Sequence, residues 1–140
     1  MDVPQPTNLI NGNFETGNLD GWKTSGNALW KINSTIKKEG LYSAQAGKIG
    51  HNQLTAINQA VKVFNSSSLS FWWKVSSEAN WDYLLFCLDN PGCTRTGGYA
   101  ARISGNADWK QVNYTLSPGT HTLTWKYAKD GSVIKGNDTG

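Results

Sequence analysis

Seven tryptophans in 140 residues are more than a core of this size needs, and flat aromatic faces are also the groups that bind sugars and proteins. Where those rings point depends on strand alternation, because successive side chains on a strand project to opposite faces. In Leu69-Ser70-Phe71-Trp72-Trp73-Lys74-Val75 the set Leu69, Phe71, Trp73 and Val75 is wholly apolar and faces inward, which leaves Ser70, Trp72 and Lys74 outside. In the next strand Leu84, Phe86 and Leu88 form the apolar set and turn Trp81, Tyr83, Leu85 and Cys87 to the other face. If Trp72, Trp81 and Tyr83 share one outer sheet face, Lys74, Arg102 and Gln111 are the polar partners expected beside them. Such a surface suits a sugar: the rings stack on the apolar C–H faces of a pyranose, and amides and charged groups take its hydroxyls. The competing reading is a second packing layer, with long loops or a neighbouring domain folded over the same aromatics. Trp22 and Trp30 read as core or loop-anchoring residues, and Trp109 as the cover of a sandwich end.

Other reactive residues point away from catalysis. A nucleophilic enzyme needs a Ser or Cys beside a positioned base, yet the two histidines are His51, in a polar stretch, and His121, which alternation turns under the sheet as a hydrogen-bonded core residue. No Gly-x-Ser-x-Gly elbow, phosphate-binding glycine loop or zinc-type Cys/His cluster occurs. Glu78, Asp82, Asp89 and Asp108 lie in or near loops, but nothing in the sequence sets two of them at a glycosidase separation. A non-catalytic role is therefore expected. Cys87 and Cys93 flank Asp89-Asn90-Pro91-Gly92, a turn that closes a hairpin. They form either a local disulfide, which implies an oxidising compartment, or a pair of free thiols. Asn33, Asn65, Asn113 and Asn137 each begin an N-glycosylation pattern, a weak signal in so Asn-rich a chain.

The elements that must position these residues read as strands. Helical periodicity is nearly absent, and period-two segments fall between turn residues at 7–10, 28–33, 41–46, 54–63, 68–76, 81–88, 99–103, 111–116 and 120–128. This is an all-β pattern whose spacing suits a sandwich. Residues 1–6 read as a linker or leader without the basic and apolar regions of a signal peptide, and 7–140 as a single domain. The net charge of +3 arises from scattered basic residues, a poor footprint for nucleic acid. No apolar run approaches the roughly 18 residues of a membrane-spanning helix.

Four blocks in order carry a family resemblance. Asn11-Gly12-Asn13-Phe14-Glu15-Thr16-Gly17 with Gly21-Trp22, then 69–78, then Ile103-Ser104-Gly105 with Trp109, then 119–127 with Lys129-Asp130, resemble galactose-binding-like jelly-roll domains, in particular carbohydrate-binding modules of the family 4/9 type. Such modules are appended to secreted hydrolases, peptidases and surface proteins. The resemblance implies a two-sheet antiparallel jelly roll, a secreted or cell-surface location, and a polysaccharide or other glycan, or else a neighbouring domain, as partner. It also implies a structural calcium, with Glu15 as a ligand and a carbonyl at Glu39-Gly40 as a second, since hard oxygen donors suit that ion. Relatives usually continue past the position of Asp138-Thr139-Gly140 with a Trp and an acidic final strand, so the resemblance implies a clipped chain or a sheet completed by a partner. The family does not fix the ligand, since one such scaffold hosts sugar binding, docking and structural roles.

Overall fold

The computed structural model describes residues 11–131, which form nine strands and no helix. These are β1 (Lys23–Gly26), β2 (Lys31–Asn33), β3 (Ser43–Gln45), β4 (Leu54–Val63), β5 (Ser67–Ser76), β6 (Tyr83–Leu88), β7 (Ala101–Ile103), β8 (Asn106–Leu116) and β9 (Gly119–Ala128). One layer is an antiparallel sheet in the order β1-β4-β9-β6-β7. The antiparallel pairs β2-β3 and β5-β8 send side chains into the same core and make the second layer. The protein is an antiparallel β-sandwich. The expected segment 7–10 lies outside the described residues.

Period-two alternation accounts for this arrangement. On β5, Leu69, Phe71, Trp73 and Val75 are buried and the intervening residues are half-exposed or exposed. Opposite them stand Ile57, Val61 and Val63 of β4, Leu84 and Phe86 of β6, and Leu123, Trp125 and Tyr127 of β9. Phe71 is the hub, with ring centroids 4.9 Å from Phe86 and 5.2 Å from both Trp73 and Trp125. Edge-to-face packing of this kind adds about 0.5–1.5 kcal/mol per pair beyond the area buried. The opening segment closes one side of the core: Phe14 packs on Trp22 at 5.3 Å, Trp22 on Trp125 at 5.6 Å, and the Trp22 indole N–H donates to the Asn11 carbonyl at 2.9 Å.

Strand boundaries depart from expectation where pattern and pairing disagree. β1 has a polar sequence with no apolar alternation, and it forms because its backbone pairs with β4 along the sheet edge. β8 begins at Asn106 rather than at 111. Gly105, at φ +73°, makes the turn, the Ser77 N–H donates to its carbonyl at 3.0 Å, and pairing resumes at once. Between the pairs Trp73–Lys110 and Val75–Ala107 the register slips, so Asp108 and Trp109 together oppose Lys74, which is a β-bulge.

A second, smaller apolar cluster lies on the outer face of the five-stranded sheet. Tyr83, Leu85, Cys87, Cys93 and Ala128 are buried there, with Tyr99 packed against them, because residues 89–100 fold back over β6. Among the described residues no helix is long and apolar enough to cross a membrane.

Candidate functional site

The aromatic residues expected to share one face are divided by the sandwich. Trp72 lies on β5 and Tyr83 on β6, strands of different layers whose inward neighbours Phe71 and Phe86 meet in the core. Their outward side chains therefore point in opposite directions, and a single platform of Trp72, Trp81 and Tyr83 is excluded. Alternation sorts Trp72 on β5 and Tyr83 on β6, whereas Trp81 lies in the turn before β6 rather than on the expected strand 81–88; alternation carries no information about which strands share a sheet.

On the β5-β8 side, Trp72 is half-buried and pairs directly with Gln111. Trp109 lies with Asp108 in the bulge opposite Lys74 and is half-buried. The Lys38 ammonium sits 4.7 Å from the Trp72 ring centroid, and Lys74 reaches Asp108 at 3.7 Å. The ring is thus partly covered by its own neighbour.

On the β6-β7 side the loop over the sheet is fastened at several points. Cys87 and Cys93 are joined by a disulfide, which settles the open alternative of free thiols. The Lys126 ammonium, buried beneath the loop, donates to the Pro91 carbonyl at 2.8 Å and the Cys93 carbonyl at 2.9 Å, and burial pushes its pKa down. Tyr83 is covered and only 8% exposed. The Arg102 guanidinium lies 4.2 Å from its ring centroid and 4.8 Å from that of Tyr99, so the cation is held between two aromatic rings. Arg102 donates to the Arg95 carbonyl at 2.6 Å, and Arg95 donates to the Trp81 carbonyl at 3.0 Å. Trp81 ends this chain of contacts, 55% exposed and the sole tryptophan of the seven that stands mostly in solvent.

Its loop is rigid. Trp81 and Asp82 donate backbone N–H groups to the Glu78 carbonyl, the Ser77 hydroxyl donates to the Asp82 carbonyl at 2.9 Å, and Asn80, at φ +67°, donates its N–H to the Ser104 hydroxyl at 2.9 Å. A large ring offered from a fixed turn loses little entropy on binding. Beneath it Glu78, Asp82 and Asp130 bring one carboxylate oxygen each within 4.8 Å of one another, a cluster that could hold a metal ion.

The chain matches the family model of a carbohydrate binding domain over residues 7–127. It belongs to this carbohydrate-binding family. Among solved structures, this carbohydrate-binding module is similar to TmCBM61 in complex with beta-1,4-galactotriose, at 18% identity and a TM-score of 0.61, covering 96% of this chain and 97% of that one. It is also similar to the enzymatically active domain of tailspike protein 4 of bacteriophage CBA120, at 10% identity and a TM-score of 0.62, covering 95% of this chain but only 21% of that one. At such identities these likenesses speak for the sandwich fold. No curated protein matches the module.

The structure brings Trp81, Tyr83 and Arg102 to one end of the five-stranded sheet and puts Trp72, Lys74 and Gln111 on the opposite outer face of the module. Tyr99 and Arg95 escaped the sequence reading; both lie past Cys93, outside the ring that the disulfide closes. Glu15 and Gly40 do meet: the Glu15 carboxylate accepts the Leu41 N–H at 2.9 Å and the Tyr42 N–H at 3.3 Å, and a Cβ at Gly40, φ +63°, would collide with it.

His121 is hydrogen-bonded as expected, near the start of the central strand β9. Its Nδ1 meets Asp89 Oδ2 at 2.7 Å and its Nε2 meets the Ser117 carbonyl at 2.7 Å. Both partners are acceptors, so only the imidazolium satisfies both, and the hydrogen bond to Asp89 leads the causes that raise the His121 pKa above 6.5. Burial works against ionisation of Asp89, but hydrogen bonds from His121 and from the Thr122 N–H hold its carboxyl below 3.8. The raised pKa of His121 makes its contribution complete below 6.5 and lost as pH rises through the folded-state value. The depressed pKa of Asp89 makes its contribution complete above 3.8 and lost as pH falls through the folded-state value. The pair is thus most stabilising between those limits. Raising the pH from 6 to 9 lowers the Tm of the parent, and His121→Gln removes that part of the slope; identical pH profiles for the two proteins would contradict the pairing.

Proposed function

We propose that this module is a non-catalytic glycan-binding unit of a secreted or cell-surface protein, and that it takes a pyranose ring on Trp81. The observation that carries the reading is the exposed Trp81 indole, on a hydrogen-bonded turn and tied through Arg95 to a stacked Arg102. The indole supplies a flat apolar surface for sugar C–H groups, and the two guanidiniums supply donors for hydroxyls. Tyr83 acts through Arg102, whose plane it supports, rather than by touching sugar. Trp72, with Lys74 and Gln111, is the second place for a sugar, disfavoured because Lys38 already occupies the ring face. The disulfide supports a location outside the reducing cytosol. A non-catalytic role is supported by Asp82 being fully buried and by both His121 nitrogens being engaged. The architecture we assign is the galactose-binding-like jelly roll. A reading in which the same aromatics dock a neighbouring domain is tested by the same variants, because it predicts no sugar binding in the parent.

Calcium is the ion we propose for the module's hard oxygen donors. Glu15 Oε1 takes both main-chain N–H groups, which leaves Oε2 and the Gly40 carbonyl as the donors expected from the family. The Glu78, Asp82 and Asp130 cluster is the second place, and an ion there would brace the turn that carries Trp81. A ligand bound only by the folded state at 100 times its Kd stabilises by about 2.7 kcal/mol. EDTA therefore lowers the Tm and calcium restores it. Glu15→Gln abolishes the shift if the first place is occupied, Asp82→Asn if the second is; no shift in the parent removes the metal.

A further inference from the structure

We infer that the glycan taken at Trp81 is an acidic one, a uronate whose carboxylate is read by Arg102 and Arg95; the inference rests on Trp81 being the stacking residue. Two rings hold Arg102 by its faces, with the guanidinium 4.2 Å from the Tyr83 centroid and 4.8 Å from that of Tyr99. The N–H groups of a guanidinium lie in its plane and point outward from its edge. This packing therefore fixes the donors without engaging them. One nitrogen of each arginine bonds the protein: Nη1 of Arg102 donates to the Arg95 carbonyl at 2.6 Å, and Nη1 of Arg95 to the Trp81 carbonyl at 3.0 Å. The Nε and Nη2 edge, which can meet a carboxylate with two parallel N–H···O bonds, has no acceptor on either arginine among the described residues.

Charge favours an acid over a neutral sugar at these edges. A guanidinium keeps its charge at every physiological pH, and the ion pairs among the described residues, Lys74 with Asp108 and His121 with Asp89, include neither Arg95 nor Arg102. The acidic cluster of Glu78, Asp82 and Asp130 belongs to the same end of the sheet, yet none of the three pairs with either arginine. Asp82 is wholly buried, and its Oδ1 accepts the Asp130 N–H at 2.9 Å. Sugar hydroxyls would form ordinary hydrogen bonds with the two edges, whereas a carboxylate forms charge-assisted bonds roughly twice as strong. Position agrees with charge. The carboxylate of a uronate projects from the rim of its pyranose ring, so a ring lying flat on the indole turns it sideways, toward donors on neighbouring residues. The bonds from Arg102 through Arg95 to the Trp81 backbone hold those donors and the indole as one unit. A neutral pyranose stacks on the same indole without the added bonds and is held more weakly.

Calorimetric titration with matched pairs of oligosaccharides tests this: oligogalacturonate and oligomannuronate, each against its methyl ester, and glucuronoxylan oligomers against unsubstituted xylan ones. In at least one pair the acidic member binds about tenfold tighter than its neutral match. Arg102→Gln brings the two members of that pair level, and Arg102→Lys, which keeps the charge but loses the planar edge, recovers only a small part of the difference. Trp81→Ala weakens both members. Cooperative thermal melts establish that each variant is folded; if Arg102→Gln does not melt cooperatively, Arg95→Gln, which keeps the main-chain carbonyl that Arg102 bonds, is expected to narrow the same difference. The inference falls, with the reading of Trp81 intact, if neutral oligomers bind through Trp81 and no acidic member exceeds its match. It falls equally if Arg102→Lys binds the acidic member as the parent does, which marks general charge attraction. Binding that Trp81→Ala leaves unchanged, or no binding of any oligomer by the parent, overturns the reading of Trp81 and the inference together.

Discussion

Phe71→Ala is expected to lower stability by about 3–5 kcal/mol, because it removes the ring at the centre of the core and leaves a cavity that neighbours on two layers cannot fill. Phe71 is fully buried and contacts Trp73, Phe86 and Trp125. Loss of the ring strips contact from both sheets at once. Trp72, one residue along the chain, is a larger side chain yet turns outward, and Trp72→Ala is expected to cost about 1 kcal/mol. The contrast between adjacent positions is the result of interest. Urea denaturation of the two variants, read as a change in midpoint at constant slope, measures it. Equal losses would mean that the alternation assigned to β5 is wrong.

The second large effect joins stability to binding. Cys87→Ser/Cys93→Ser removes a cross-link between residues 6 apart in sequence. Chain entropy alone makes this a loss of about 2 kcal/mol, a short loop giving less than a long one. The functional consequence is separate. The loop carries Tyr99, which covers one face of Arg102, and Arg95, which accepts from Arg102 and donates to Trp81. Without the disulfide the loop keeps the Lys126 ammonium, the Asp89 carboxylate and backbone bonds at its two ends, from the Asp89 N–H to the Thr122 carbonyl and from the Ala100 N–H to the Phe86 carbonyl, as fastenings. Glycan affinity is expected to fall about tenfold, a change of about 1.4 kcal/mol. A melt and a titration, each with and without reductant, check both parts. Unchanged affinity after complete reduction, with the melt shifted, would show that Arg95 and Tyr99 take no part in the site.

Much of the fold was legible because β5 and β9 are long and their sequences alternate, so that the large apolar residues of each point to one face. β1 was not, since a polar edge strand owes its existence to pairing with β4 and leaves no pattern of its own. The candidate site was legible in parts. Trp81 and Arg102 were picked out by alternation, but Trp81 stands in the turn before β6 and is linked to Arg102 through Arg95. Tyr83 was found too, but residues 89–100 bury it, and no local pattern reports which strand a loop will cover. The joining of Trp72 to that group failed for a related reason: face assignment is local, whereas the partition of strands between two layers is set by long-range packing.

The account turns on whether the exposed indole of Trp81 holds sugar. Affinity electrophoresis of the parent, Trp81→Ala and Trp72→Ala through a panel of soluble neutral polysaccharides measures this most directly. The expected result is retardation of the parent by at least one polymer, abolished in Trp81→Ala and kept in Trp72→Ala. Retardation that survives in Trp81→Ala, or none in the parent by any polymer while all three proteins melt as folded, would contradict it.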